Sequence, residues 1–123
     1  MTVSGGLIAE SLRIGTVLEG VRMTVTRVSR ADVGNIDVGQ PRTWTFIDFE
    51  IADADIPLLA AALEGGLNRD GGWYCDFRTE TQTFVVFAGR TFRYPRGDEA
   101  ERAAAATYAR SIGVPEEQLD WPE

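Results

Sequence analysis

A strand and the helix that follows it are encoded in residues 43–66, which read TWTFIDFEIADADIPLLAAALEGG. Side chains alternate from Thr43 to Ile51, which is typical of a strand with one face in the core. The predicted core face carries Thr45, Ile47, Phe49 and Ile51, and the other face carries Trp44, Phe46, Asp48 and Glu50. Asp53 at a cap position and Pro57 in the first turn then predict a helix that ends at Gly65-Gly66.

Three strands and a second helix are predicted after this unit. Residues 73–79, 84–87 and 91–94 are rich in aromatic and β-branched side chains and are bounded by turn residues, so we expect strands there. Asp98 with Glu101 three residues later forms a capping-box pattern, which predicts a helix that ends near Gly113. Its predicted sheet-facing stripe is Ala100, Ala104, Tyr108 and Ile112, and residues 119–121 are predicted as a short edge strand.

The chain before residue 43 adds one predicted strand over residues 21–28, followed by a loop. Residues 1–20 are expected to form an irregular arm or a short helix. The order of elements from Thr43 predicts an α+β fold with a ferredoxin-like split βαβ arrangement. It would have a mostly antiparallel sheet, two helices on one face and an extra N-terminal strand. The length of 123 residues suits a single domain, 1–123, with its globular core over 21–121.

The residue types present limit the possible chemistry. The basic residues are 12 arginines, with no lysine and no histidine, and Cys75 is the single cysteine. Histidine bases, Schiff-base lysines, Walker-type phosphate lysines and thiolate metal cages are therefore excluded within this chain. Carboxylates, arginine, tyrosine, hydroxyls and backbone groups are what remain. We predict no metal and no cofactor.

Charge and hydropathy limit the partners. A net charge of −7 without a basic stripe argues against nucleic acid as a partner. The longest run without a polar side chain, residues 56–63, is far shorter than a bilayer span. The first residues lack a signal-peptide pattern. We therefore expect no membrane partner and a cytoplasmic location.

Three segments of the second half of the chain resemble those of a known group of proteins. Residues 73–77 read WYCDF, residues 84–92 read FVVFAGRTF, and residues 113–121 read GVPEEQLDW. In this order they resemble the WYxDF, FVVFxG(K/R)xF and G(I/V)PxxQLD(F/W) segments of an uncharacterised family of small bacterial, actinobacterial-like proteins. The resemblance covers roughly residues 70–121 and implies a soluble bacterial protein, but it supplies no activity and no site residue.

Polar side chains on the predicted non-core strand faces are the weak candidates for catalysis. They are Asp48, Glu50, Asp76 and Arg78. Paired carboxylates could serve as general acid and base or hold a divalent cation. The alternative is a solvated sheet face with weak cross-strand ion pairs, and it is the more common situation.

The candidate binding residues are Trp44, Phe46, Tyr74 and Arg93. Two large aromatic side chains on an open sheet face would form an apolar patch, and such patches usually have a partner. Three occupants are compatible with the sequence: cover by the N-terminal part of the chain, a homodimer through sheet faces, or a ligand. Cys75 alternates with Trp73 and Phe77, so we expect a buried, inert thiol.

The leading functional hypothesis is a non-enzymatic soluble binding or interaction protein that self-associates or binds a partner through an open sheet face. An enzyme that uses carboxylates or a divalent metal on a small polar substrate is the first alternative. A small-molecule sensor with a closed apolar pocket is the second. The sequence names no ligand.

Overall fold

Six strands form one sheet in the computed structural model, which describes residues 2–34, 40–114 and 119. The elements in chain order are β1 (Thr2–Ile8), β2 (Met23–Asp32), β3 (Thr43–Ala52), α1 (Ile56–Gly66), β4 (Cys75–Arg78), β5 (Gln82–Phe87), β6 (Arg90–Pro95) and α2 (Glu99–Ser111). Short 3-10 helices cover Ala9–Ser11 and Asp53–Asp55. Neither α-helix in this described part is long and apolar enough to cross a membrane.

The N-terminal strand β1 lies inside the sheet. The strand order is β2-β3-β1-β4-β5-β6, and all neighbouring pairs are antiparallel. The prediction of an irregular arm or a short helix over residues 1–20 is therefore wrong for Thr2–Ile8. Gly5 and Gly6 interrupt the apolar pattern there and have low strand propensity. Pairing with both neighbours and burial of Val3 and Leu7 outweigh that preference.

The predicted α+β class and the antiparallel sheet are confirmed, but the ferredoxin-like split βαβ arrangement is not. The strand order differs from that fold because β1 is inserted between β3 and β4. Both of those strands are antiparallel to β1, so they run parallel to each other with α1 in the connection between them. Strands β4, β5 and β6 then follow as a simple meander.

The two helices pack against opposite faces of the sheet, so the prediction of both helices on one face is wrong. Successive side chains of a strand point to opposite faces. On β5, Val86 belongs to the core cluster that contains α1, whereas its neighbour Val85 belongs to the cluster that contains α2. Each helix therefore has its own core.

The larger core lies between α1 and the sheet. Its buried members include Val3, Leu7, Phe49, Ile51, Ile56, Leu59, Leu63, Cys75, Phe77, Phe84 and Val86. The smaller core lies beneath α2 and contains Val85, Phe87, Tyr94, Ala105, Ala106, Ala109 and Val114. Burial of a leucine side chain contributes about 1.5–3 kcal/mol, so α1 is the more strongly anchored helix.

One part of the sheet is left without a helix over it. The face that carries α2 is covered by that helix only at β5 and β6. On the same face, exposed residues of the other strands include Thr24 of β2, Ser4 and Gly6 of β1 and Glu50 of β3. We call this surface of β2, β3, β1 and β4 the open face. The predicted edge strand at 119–121 falls outside the described residues except for Leu119, which packs against the α2 core.

Candidate functional site

Strands β1 and β4, in the middle of the sheet, separate from each other on the open face. The β1–β3 ladder runs from Thr2 to Ile8, but β1 pairs with β4 only at Gly5 and Phe77. Next to that pair, the carbonyl of Gly6 accepts a weak hydrogen bond from the thiol of Cys75, at 3.4 Å. The short ladder leaves space between β1 and the end of β4.

A cleft of about 390 Å³ occupies this space. It is lined by Ser4, Gly5, Gly6, Asp76, Phe77, Arg78, Thr79 and Arg96. A smaller cleft of about 240 Å³ adjoins it and is lined by Thr2, Val3, Ser4, Asp53, Arg78, Thr79, Glu80 and Arg96. Four residues border both clefts: Ser4, Arg78, Thr79 and Arg96. They form one continuous polar site.

Two small residues of β1, Gly6 and Ser4, leave the space of the cleft above the strand unfilled. Gly6 is paired with Asp48 of β3, and a Cβ atom on Gly6 would lie 3.3 Å from Oδ1 of Asp48. Ser4 is paired with Glu50 in the same ladder. Larger side chains on these two positions of β1 would fill the space above the strand.

Arg78 is the cationic side chain at the centre of the site. It is the last residue of β4 and is half-buried. Within the described part of the chain, its guanidinium makes no hydrogen bond and no ion pair. The hydroxyl of Ser4 is likewise without a hydrogen-bond partner among the described residues. The donors at the centre of the cleft are therefore available to a ligand.

Arg96 is held at the edge of the cleft by the turn between β4 and β5. Its Nη1 donates to the carbonyl oxygens of Thr79 and Glu80, both at 3.4 Å, and its backbone N–H donates to the Thr81 carbonyl at 2.9 Å. The Thr79 hydroxyl accepts from the backbone N–H groups of Thr81 and Gln82, at 3.2 and 2.9 Å. These bonds fix the turn and place Arg96 opposite β1.

The four weak catalytic candidates share the open face, but only two of them line the cleft. Asp76 and Arg78 lie two residues apart on β4 and border it. Asp48 and Glu50 lie on β3, with β1 in between, so about 10 Å of sheet separates the backbones of the two pairs. Across residues 2–34, 40–114 and 119, no group of three or more acidic, cysteine or histidine side chains is placed to hold a metal ion.

The aromatic pair on β3 is partly covered by the chain itself. Trp44 lies 5.3 Å from the ring of buried Trp73 and 6.1 Å from the ring of Phe46, centroid to centroid. Its indole N–H donates to the carbonyl of Pro41 at 2.8 Å. Trp44 and Phe46 are both half-buried, and Trp73, which precedes β4, covers part of Trp44.

The other two binding candidates lie away from the cleft. Tyr74 packs against Phe87 at 6.1 Å, in the core beneath α2. Arg93 pairs with Phe84, which belongs to the core on the α1 face, so it lies on the opposite side of the sheet. There its Nε donates to Oε1 of Gln82 at 2.9 Å, and its guanidinium lies 5.5 Å from the Phe84 ring centre. Arg93 therefore lies on the face that carries α1, away from the open face.

Cys75 is a core residue with an inert thiol. Burial, followed by the nearby charge of Asp76, raises the pKa of the Cys75 thiol to about 12. At neutral pH the thiol is protonated and is not a nucleophile.

Sequence patterns do not indicate three of the cleft residues: Ser4, Gly6 and Arg96. Ser4 and Gly6 belong to the strand β1, where the sequence predicts an arm or a short helix. Arg96 follows the proline that ends β6, and it is brought to the cleft by the β4–β5 turn. The position of Arg96 depends on that tertiary contact, for which a single sequence has no local signal.

Comparison of the chain with known protein families, curated proteins and solved structures finds no match.

Proposed function

We propose that the protein is a non-enzymatic binding protein that holds a small polar ligand in the cleft between β1 and β4. The observation that supports this most strongly is Arg78, a half-buried residue that borders a cleft of about 390 Å³ and whose guanidinium has no ion-pair partner among the described residues. Ligand sites are typically clefts of this size with a few well-placed polar groups. The Ser4 hydroxyl and the anchored Arg96 supply two more such groups.

The polar character of the open face argues for a small ligand over self-association. Asp48 and Glu50 lie on this face with exposed Ser4 and Thr24 around them. A face-to-face contact between two copies would bury these carboxylates and remove them from water, which costs free energy. The aromatic side chains expected to drive a homodimer, Trp44 and Phe46, are partly covered within the chain.

The two other hypotheses have less support. An acid–base enzyme needs carboxylates that meet at one point, whereas β1 separates Asp48 and Glu50 from Asp76. A small-molecule sensor of the predicted kind needs a closed apolar pocket, whereas both clefts are open and bordered by charged side chains. The proposal keeps a cytoplasmic protein of the bacterial group that the chain resembles, with no nucleic-acid partner and no resident cofactor.

Ligand-induced thermal stabilisation tests this proposal. A panel of small neutral, cationic, anionic and zwitterionic compounds is screened against the wild type, Ser4→Phe and Thr24→Phe. Ser4 and Thr24 are both exposed on the open face, but only Ser4 borders the cleft. We expect compounds that raise the Tm of the wild type and of Thr24→Phe, because binding to the native state stabilises it. The phenyl ring of Ser4→Phe occupies the cleft and abolishes that effect.

Two results would contradict the proposal. In the first, no compound of the panel stabilises the wild type. In the second, the stabilising compounds act equally on folded Ser4→Phe, which would place their site elsewhere.

A further inference from the structure

The charges around the cleft define the kind of group it binds. We infer that the site recognises an oxyanion, a carboxylate or phosphate group, held between Arg78 and Arg96. This inference rests on the proposed function and specifies the ligand class for the same cleft.

Arg78 is the cation in the cleft that lacks a partner within the described part of the chain. The guanidinium of Arg78 borders both clefts and has no hydrogen-bond or ion-pair partner among the described residues. An oxyanion would supply one. Arginine binds carboxylate and phosphate through two parallel N–H···O bonds, which are stronger than bonds between neutral groups.

Arg96 and Ser4 complete the set of donors. Within the described part of the chain, the Arg96 side chain donates hydrogen bonds through Nη1 alone, so the N–H groups on Nε and Nη2 remain for a ligand. Ser4 borders both clefts together with the two arginines. The turn that holds Arg96 is fixed by its own hydrogen bonds, so the second cation is positioned before the ligand arrives.

The acidic residues limit the ligand to a single anionic group. Asp76 borders only the larger cleft, and Asp53 and Glu80 border only the smaller one, whereas both arginines border the two. The anion therefore fits where the clefts meet. A polyanion would be repelled on either side.

Titration of the isotope-labelled protein with acetate and with inorganic phosphate tests the inference. The side-chain Nε–H signals of the arginines are followed by NMR at constant ionic strength. We expect saturable shifts at Arg78 and Arg96. Arg78→Gln and Arg96→Gln should each weaken the affinity about tenfold, since each removes a charge-assisted pair of bonds.

Arg93→Gln is the matched control. Arg93 is an arginine of the same sheet whose side chain donates a hydrogen bond to Gln82, but it lies on the opposite face. Its replacement should leave both affinities unchanged. Arg78→Lys keeps the charge and loses the planar fork, so it should bind with an intermediate affinity, and it replaces Arg78→Gln in the test if that variant does not fold.

The outcomes separate the two ligand sources and the two proposals. Tighter binding of acetate indicates a carboxylate ligand, tighter binding of phosphate indicates a phosphate ester, and either result supports the inference. Absence of saturable shifts at Arg78 with both anions overturns it, as does equal weakening by Arg93→Gln.

If the anions fail to bind but cationic or neutral compounds of the panel still give a stabilisation that Ser4→Phe abolishes, only the oxyanion inference fails. If no compound binds, the proposed function fails with it.

Discussion

Two adjacent glycines of β1, Gly5 and Gly6, serve opposite faces of the sheet. On the core face, a Cβ atom at Gly5 would lie 2.7 Å from the Cζ atom of Phe49, whose ring is almost fully buried. On the open face, a Cβ atom at Gly6 would approach the carboxylate of Asp48. Gly5 therefore leaves space for the Phe49 ring in the core, and Gly6 leaves the cleft above β1 unfilled.

The first prediction concerns Gly5→Ala, which should destabilise the protein. The added methyl group forces the Phe49 ring to move within a packed core, and overpacking of this kind costs about 1–3 kcal/mol. Gly65→Ala is the control, because Gly65 lies in α1 and a Cβ atom there would have no atom of another element within 4 Å. That exchange should stabilise the helix by up to about 1 kcal/mol. Urea unfolding measures both; equal stability of the two variants would contradict the account of Gly5.

The 3-10 helix Ala9–Ser11 follows β1 and lies beside the first residues of β3. The carboxylate of Glu10 accepts hydrogen bonds from the backbone N–H of Thr45 at 2.6 Å and from the Thr45 hydroxyl at 2.8 Å. Those bonds form beyond Ile8, where the β1–β3 ladder has ended. Glu10 thus takes the place of a strand partner for the first part of β3.

The pH dependence of stability follows from this contact. Burial alone would raise the pKa of Glu10, but the bonds from Thr45 and the nearby Arg30 favour the ionised form and hold the pKa below its ordinary value of 4.5. A carboxylate with a lowered folded-state pKa stabilises the fold above its ordinary pKa. That stabilisation is lost as the pH falls through the folded-state value.

The second prediction is therefore that Glu10→Gln is less stable than the wild type at neutral pH by about 1 kcal/mol, the value of a typical hydrogen bond. The difference should shrink as the pH falls below the ordinary glutamate pKa of 4.5 and through the lower folded-state value, because the wild type then loses its carboxylate bonds. Urea unfolding over a pH series measures the difference. Glu19→Gln, at an exposed position, should leave the profile unchanged. A constant difference between Glu10→Gln and wild type at all pH values would contradict the role of the ionised carboxylate.

The helices show which local features a sequence specifies. The Asp98 cap is confirmed, since its side chain accepts from the Glu101 N–H at 3.1 Å. The predicted stripe of α2 is wrong at Ala100 and Ala104, which are exposed, whereas Ala105, Ala106 and Ala109 are buried. The capping signal marks the start of α2, whereas the cap predicted at Asp53 is wrong: α1 begins at Ile56, after Asp55, and has no side-chain cap bond. In a helix with alanine on most sides, the sequence does not determine which face meets the sheet.

In the six-stranded sheet, the alternation of side chains predicted the faces of the strands but not their neighbours. Alternation correctly placed Phe49 and Ile51 in the core and Asp48 on the other face, and the spacing of Asp76 and Arg78 put both beside one cleft. The insertion of β1 between β3 and β4 depends on pairing between segments that lie far apart along the chain, which has no local signal. Since β1 forms the floor of the cleft, the site could not be recognised without that insertion.

The measurement that tests the central claim most directly is an amide chemical-shift map of the labelled protein with the most stabilising compound of the panel. We predict that the shifts concentrate at Ser4, Gly5, Gly6, Arg78 and Thr79, where β1 and β4 separate. The exposed arginines of β2 and the edge strand β6 should not respond. Shifts centred on β2, on β6 or on α2, with the cleft residues unmoved, would contradict the claim that this cleft is the functional site.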